Sequence, residues 1–457
     1  MTSKKGVFYK NRFSFYLLAI GSACGLGNLW RFPYVVGEHG GGAFLLLYVF
    51  LALTVGLSLL IAELMIGRQM GVGVLVASKT VAKNRRHIAA IGWFSLCITV
   101  VTLAYYSVIS GWVLHYLTQF IMSFFQPDPV YYLKNISVNV LLKNGWLQFL
   151  LASVHLLVVA TVILKDFGDN VEKRISSLLP LFGLLVIFLL VGSLSLDSKQ
   201  QVLRFLFYPD FSKLNLSSLG HALGHVFFTL SLGFGTMVTF GSYLHREDHL
   251  PTIGLRVTLV DTAISVLSVL LIFPIAFSSS KTTVADPSLL FEVLPEFLSS
   301  MKGGILFGFA FFLFLWLAAV NASISLLETI TANLIEKRPD IKRSYAVSLV
   351  AICILLLTVF PAFSETLFKN VNLLGRSLIE FFDVTLVNVF LPIAVLGLLY
   401  LFFKNFSESE RKKIFVAPEK PTSLAMYPQW IFLLKWFTPV LVVSGLLMLT
   451  LAALMRT

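Results

Sequence analysis

The run Ala19-Ile20-Gly21-Ser22-Ala23-Cys24-Gly25-Leu26-Gly27-Asn28 decides how this chain folds. It lies inside an apolar stretch, 13–36, long enough to cross a bilayer, which takes about 20 residues. Yet it puts three glycines and an asparagine near the middle, and Arg31 and Pro33 follow. Each glycine weakens a helix by about 1 kcal/mol relative to alanine. Unpaired backbone in hydrocarbon costs several kcal/mol per group, so an interrupted helix persists there only when buried in protein. The disturbance recurs at Phe227-Phe228-Thr229-Leu230-Ser231-Leu232-Gly233-Phe234-Gly235. Small residues also serve plain helix packing. Two interrupted spans in corresponding places point instead to the binding site of a secondary transporter.

Composition places the rest of the chain in the same setting. Of 457 residues, 57% are hydrophobic and only 13% charged, with mean hydropathy +0.86. Soluble globules carry about 25% charge, so this chain lacks the polar surface to clothe itself in water. The same figures exclude disorder, collagen-like repeats and small disulfide scaffolds. A net charge of +12 raises the question of nucleic acid. The basic residues, however, sit in short clusters between apolar runs, as the positive-inside rule of membrane topology demands, and no nucleic-acid partner is expected. Cys24, Cys97 and Cys353 lie in separate apolar runs, form no CxxC pair and read as small packing residues. A signal peptide fits poorly, because the first run continues through Asn28 and Arg31 and a second follows closely.

A transmembrane window predicts spans near 13–36, 42–66, 88–122, 147–164, 175–194, 217–243, 253–278, 304–335, 344–362, 377–403 and 431–454. The fold class is therefore all-α, a polytopic membrane protein of about 11 transmembrane helices in one transport domain, 1–457. The interruptions, in the first and sixth helices, fall five spans apart. Five being odd, they head two inverted five-helix repeats, approximately 13–194 and 217–403, with 431–454 as an extra helix. Lys4, Lys5, Lys10 and Arg12 share a side with the later clusters around Arg68, Lys165, His245, Lys337 and Arg411. That side is cytoplasmic, which puts the C-terminus outside. Two outer loops are long, 123–146 and 279–303. Around Pro287 and Pro295 the second is apolar enough to fold back as a helical lid.

The motif Gly21-Ser22-Ala23-Cys24-Gly25-Leu26-Gly27-Asn28-Leu29-Trp30-Arg31-Phe32-Pro33-Tyr34, followed by Gly40-Gly41-Gly42-Ala43-Phe44, resembles the neurotransmitter:sodium symporter family in its bacterial, leucine-transporter-like branch. Phe227 to Gly235 and Ser325-Leu326-Leu327-Glu328 resemble it too. The resemblance implies a sodium-coupled symporter of the plasma membrane, not an enzyme, that imports a neutral, hydrophobic or aromatic amino acid by alternating access.

By that resemblance the amides of Leu26 and Gly27, at a half-helix N-terminus, receive the substrate carboxylate, where the helix dipole favours negative charge. Tyr106 donates its hydroxyl to the same group. The carbonyls of Ala23 and Phe228 and the hydroxyl of Ser231 take the amino group. Thr102, Phe228, Phe234 and Leu326 line the side-chain pocket, with Ser22 beside them. Sodium, a hard cation that seeks oxygen, is held by the Ala23 carbonyl, Asn28, Thr229, Asp261 and the substrate carboxylate. Ion and substrate then bind better together, which is a basis for coupling. A second sodium site draws on carbonyls of Gly21, Cys24 and Ala318 and on side chains of the eighth span. There the chain departs from the family, with Asn321-Ala322 where Thr and Ser are usual. Asn321 still offers an oxygen and Ala322 none, so one sodium site is expected and the second is altered, weakened or absent.

Asp261 supplies a resident negative charge where chloride-dependent relatives are neutral, which makes chloride unnecessary. The alternative is that it lies near the cytoplasmic end of its span and merely reaches water. His225, where relatives commonly carry glutamine, reads as a hydrogen-bonded core residue. No cofactor is expected. Arg31 and Asp383 would approach each other above the substrate as a water-bridged outer gate. On the cytoplasmic side the gate candidates are Arg12, Tyr243 and Glu336, with Lys4 or Lys5 pairing Glu336. Asn170, ten residues before Pro180, replaces the family's hinge glycine. Gly25 stands where amine-transporting relatives carry aspartate, which favours a zwitterionic substrate.

Two other classes bear weighing. His245-Arg246-Glu247-Asp248-His249 superficially suggests a metalloenzyme, but it is not HExxH and sits in a charged loop. GxSxG and a P-loop are both missing from the sequence. A sodium-independent channel or a substrate-binding sensor on the same fold stays open.

Overall fold

The structure, a computed structural model, describes residues 25–164, 186–196, 198–245, 247–278, 289–416 and 422–455, together with Ala19, Gly21 and Leu184. Among these residues regular structure is helical, apart from an isolated bridge between Leu373 and Arg376. Eight helices are long and apolar enough to cross a membrane: Gly42–Met70, Arg86–Ser123, Gly145–Leu164, Leu250–Ser278, Gly304–Lys337, Arg343–Ala362, Leu378–Asn405 and Ala425–Leu454. They are the second, third, fourth and seventh to eleventh spans anticipated from the apolar runs. A helix satisfies its own backbone in hydrocarbon, which is why runs of this length adopt it. Of the fifth span Leu184 and Val186–Leu194 are described; the Asn170–Pro180 hinge lies outside the described residues. The 38-residue third span is about 57 Å long, nearly twice the hydrocarbon thickness of about 30 Å, so it projects beyond the bilayer.

The spans sort into two packed groups. The third lies along the fourth, eighth and ninth, which also touch one another. The second packs on both halves of the sixth and on the seventh, and the seventh on the Phe32–Glu38 half of the first. Backbones meet closely in this second group. A side-chain carbon on Gly67 would stand 1.8 Å from the Val238 carbonyl oxygen, so only glycine lets these helices approach so near.

The second long outer loop does fold as a helix, Leu289–Ser300, with Pro295 inside it; Pro287 lies outside the described residues. Phe291 inserts between Trp30, Trp112 and Tyr116, with ring centroids 6.5, 5.6 and 5.5 Å away. Three further helices, Val74–Ala82, Lys199–Phe207 and Glu408–Phe415, are too short or too polar for a span-length window to register. The cysteines correct one expectation: Cys97 and Cys353 are exposed on their helices rather than packed inside. A thiol behaves as a small hydrophobe, and a surrounding of hydrocarbon does not require its burial.

Candidate functional site

The sixth span breaks between Ser218–Thr229 and Thr236–Gly241. Gly233 and Gly235 take φ of 83° and 79°, and Ser231 takes 54°, left-handed values that end a helix. Neighbouring spans supply the partners that freed backbone needs. The Gly233 amide donates to buried Glu63 Oε1 at 2.9 Å, and the Phe234 carbonyl accepts from Thr99 Oγ1 at 2.8 Å. In the first span Ala19 and Gly21 are helical and Gly25 is not; helix resumes through the π-turn Gly27–Arg31 into Phe32–Glu38. Ser22, Ala23 and Cys24 lie outside the described residues.

Where the two breaks face each other lies a small cavity. Its wall is formed by Gly25, Gly27, Asn28, Thr102, Tyr106, Phe228, Thr229, Ser231, Phe234, Ala322 and Leu326. Sequence reasoning did not put Gly25 or Ala322 on that wall. Leu26 reaches it through its amide, which donates to Tyr106 Oη at 2.8 Å and leaves the tyrosine proton to donate elsewhere. A carbon on Gly25 would lie 2.7 Å from the same Oη, so a side chain there would close the polar end. The Phe228 and Phe234 rings meet edge to face at 6.2 Å.

Behind Asn28 and Thr229 stands a knot of polar groups around Asp261. Asn28 Nδ2 donates to Asp261 Oδ1 at 2.7 Å and to Ser265 Oγ at 2.9 Å. Thr229 Oγ1 and Tyr48 Oη donate to Asp261 Oδ2 at 3.1 and 3.2 Å. Asp261 is 0% exposed, which excludes the alternative that it reaches cytoplasmic water. With its nitrogen so engaged, Asn28 turns Oδ1 toward Gly25, 3.5 Å from that amide on the cavity wall. Tyr48 and Ser265 are members the sequence reading missed. Ser265 had a signal, since it follows Asp261 by four residues and shares its helix face. For Tyr48 the hint is weaker: a buried tyrosine hydroxyl usually has a partner.

Near Gly21, the Asn321 side chain packs so tightly that a carbon on the glycine would fall 2.1 Å from Nδ2. Asn321 Oδ1 is buried and meets no protein partner, and Ala318 is buried one turn earlier. Ala322 faces the cavity, while Ser323 contacts His155 Nε2 at 2.9 Å.

Arg31, 2% exposed, meets Asp383 directly, Nε to Oδ2 at 3.3 Å. This corrects the water-bridged arrangement. Tyr34 and Tyr105 also donate to Asp383, at 3.2 and 3.4 Å, while Arg31 donates to Asn388 Oδ1 at 3.3 Å. A buried ion pair is tolerated when its remaining hydrogen-bonding groups are met in this way. Arg31 Nη1 lies 3.3 Å from His225 Nδ1. Guanidinium only donates, so that nitrogen is the acceptor. On the opposite side, Tyr243 donates to Glu328 Oε1 at 3.2 Å and Arg343 to Glu328 Oε2 at 2.5 Å. Glu336 instead accepts from the Gly73 amide at 2.7 Å. Arg12, Lys4 and Lys5 lie outside the described residues. Among the described residues, no group of three or more His, Cys, Asp and Glu side chains is placed to hold a metal ion, the 245–249 loop included.

Known proteins are similar to this chain in sequence and fold. The crystal structure of MhsT in complex with L-phenylalanine superposes with a TM-score of 0.87 at 28% identity, over 96% of this chain and 99% of that one. The sodium-dependent transporter YhdH of Bacillus subtilis (strain 168) is 30% identical over 446 residues, 97% of each chain. The sodium-dependent neutral amino acid transporter B(0)AT2 of Bos taurus is 28% identical over 300 residues, which are 58% of this chain and 40% of that protein. The family model described as the sodium:neurotransmitter symporter family matches residues 7–129 and 131–367. With broken spans, cavity and matches in agreement, this chain belongs to the sodium:neurotransmitter symporter family, whose members are sodium-coupled transporters and not enzymes.

Proposed function

We propose that this protein imports a neutral, apolar or aromatic amino acid together with sodium across the plasma membrane by alternating access. The observation that carries the reading is the cavity between two broken helices, with a peptide-and-tyrosine end beside the Asp261 knot. The substrate carboxylate would lie against the amides of Leu26 and Gly27 and the Tyr106 hydroxyl. Asn28 and Thr229, with the Ala23 carbonyl and the Asp261 carboxylate, would hold sodium next to it. The fixed charge of Asp261 removes the need for chloride. Gly25 offers no countercharge to a lone amine, which favours a zwitterion.

One sodium ion suffices. Entry down 100 mV releases about 2.3 kcal/mol and a tenfold gradient about 1.4, together supporting about 500-fold accumulation of a neutral solute. The second cation site, with Asn321 against Gly21 and Ala322 lacking a hydroxyl, is weakened. Arg31 and Asp383 act as the outer gate, and Tyr243 with Glu328 as the inner one; Arg12 stays a gate candidate by resemblance. The spans form two inverted repeats, 13–194 and 217–403; the basic clusters on the N-terminal side favour a cytoplasmic N-terminus, and eleven spans then put the C-terminus outside. The names of B(0)AT2 and of the phenylalanine-bound MhsT support the choice of substrate class.

Purified protein in proteoliposomes, offered a panel of labelled amino acids, tests the reading. Accumulation is expected only with an inward sodium gradient, and it survives replacement of chloride by gluconate. Equal flux with and without sodium overturns the proposal in favour of a channel.

A further inference from the structure

We infer that the transported amino acid carries a hydrogen-bonding group on an otherwise apolar ring, and that Thr102 recognises it; this rests on the amino-acid reading above. Thr102 is 0% exposed, lies on the cavity wall, and its Oγ1 meets no protein partner. Elsewhere on the same helix Ser107, Ser110, Thr118 and Ser123 donate their hydroxyls to carbonyls three or four residues back, at 2.6 to 2.7 Å. That local bond is open to any helical serine or threonine. Thr102 forgoes it. Ser95 also lacks a partner but does not border the cavity.

The other polar residues of this wall have protein partners: Tyr106 accepts from the Leu26 amide, Asn28 and Thr229 donate to Asp261, and Ser231 makes a contact of its own. A buried hydroxyl without a partner is costly, and a ligand that meets it recovers the cost, whereas an analogue lacking the matching group does not. Thr102 stands one helical turn from Tyr106 on the same face. About 6 Å of helix therefore separate it from the end that takes the carboxylate. The hydroxyls of serine and threonine sit too close to their own carboxylates to bridge that distance, and aliphatic side chains offer nothing to bind. The indole N–H of tryptophan and the phenolic hydroxyl of tyrosine lie far enough out. Both sit on flat rings suited to the wall of Phe228, Phe234 and Leu326. The substrate class is thus the aromatic amino acids with a polar ring atom, in preference to phenylalanine.

The test measures sodium-dependent binding and uptake by the full-length protein in proteoliposomes for two matched pairs, tyrosine against phenylalanine and tryptophan against naphthylalanine. Wild type, Thr102→Ser and Thr102→Val are compared. Wild type and Thr102→Ser should favour the polar member of at least one pair by about tenfold, and Thr102→Val should reduce that preference to about one. No preference in either pair for the wild type, or an unchanged preference in Thr102→Val, overturns the inference. The wild-type comparison needs no variant, so the inference stands or falls on it even where a substitution fails to fold. Binding without preference overturns this inference alone; no binding of any amino acid overturns the functional reading with it.

Discussion

Asp261 illustrates what one side chain does in hydrocarbon. A carboxylate at mid-membrane costs about 2.5–3.5 kcal/mol on insertion scales, and here Asn28, Thr229 and Tyr48 offset the cost by donating to it. Asp261→Asn keeps the shape and removes the charge. Sodium affinity should fall at least tenfold, or uptake should become chloride-dependent, as read from uptake with and without chloride; unchanged affinity in chloride-free medium would take Asp261 out of the ion site. At this scale the sequence was informative wherever a motif fixes the neighbourhood, as with Asn28, Tyr106 and Phe228. It was silent on Tyr48 and Asn388, because their roles arise only when separate spans pack and aim the side chains at one point. The direct Arg31–Asp383 contact was illegible for the same reason: whether water fits between two charges depends on how closely their helices stand.

The break in the sixth span sets the terms for whole elements. Gly233 holds a φ of 83°, and a carbon built on it would lie 3.1 Å from the Leu391 carbonyl oxygen. An L-residue in that conformation costs about 1–2 kcal/mol, so Gly233→Ala should lower the thermal unfolding midpoint in detergent. Gly71 provides the comparison, with φ of 64° and nothing within 4 Å of the added carbon. Gly71→Ala should carry the strain alone and shift the midpoint less; an equal shift would show that the Leu391 contact contributes nothing. The long spans were legible from apolar length alone, since hydrocarbon leaves such runs little choice but helix. The helix Leu289–Ser300 was legible from apolar residues around Pro295. Val74–Ala82 and Lys199–Phe207 were not, because nine residues give too weak a signal. The pairing of Tyr243 with Glu328 depends on how the turn after Thr236–Gly241 packs on the eighth span, which no local pattern records.

Across the molecule, the cavity lies between the two groups of spans, with walls from the third and eighth on one side and the first and sixth on the other. If one sodium accompanies each neutral substrate, every cycle carries one positive charge inward. Imposing 100 mV, inside negative, with potassium and valinomycin should then raise the accumulation ratio about 50-fold. A ratio that rises as the square of this factor would reveal two ions per cycle, and a ratio that ignores voltage would exclude electrogenic coupling.

Phe291 lies between the indoles of Trp30 and Trp112, one on the outer half of the first span and the other on the third. These belong to opposite groups, so the helix Leu289–Ser300 touches both sides of the boundary through a single ring. Withdrawal of that ring admits water to both indoles at once, and their emission moves to longer wavelength. If transport opens the cavity past this ring, the protein carries its own optical reporter of that opening, readable without any attached dye.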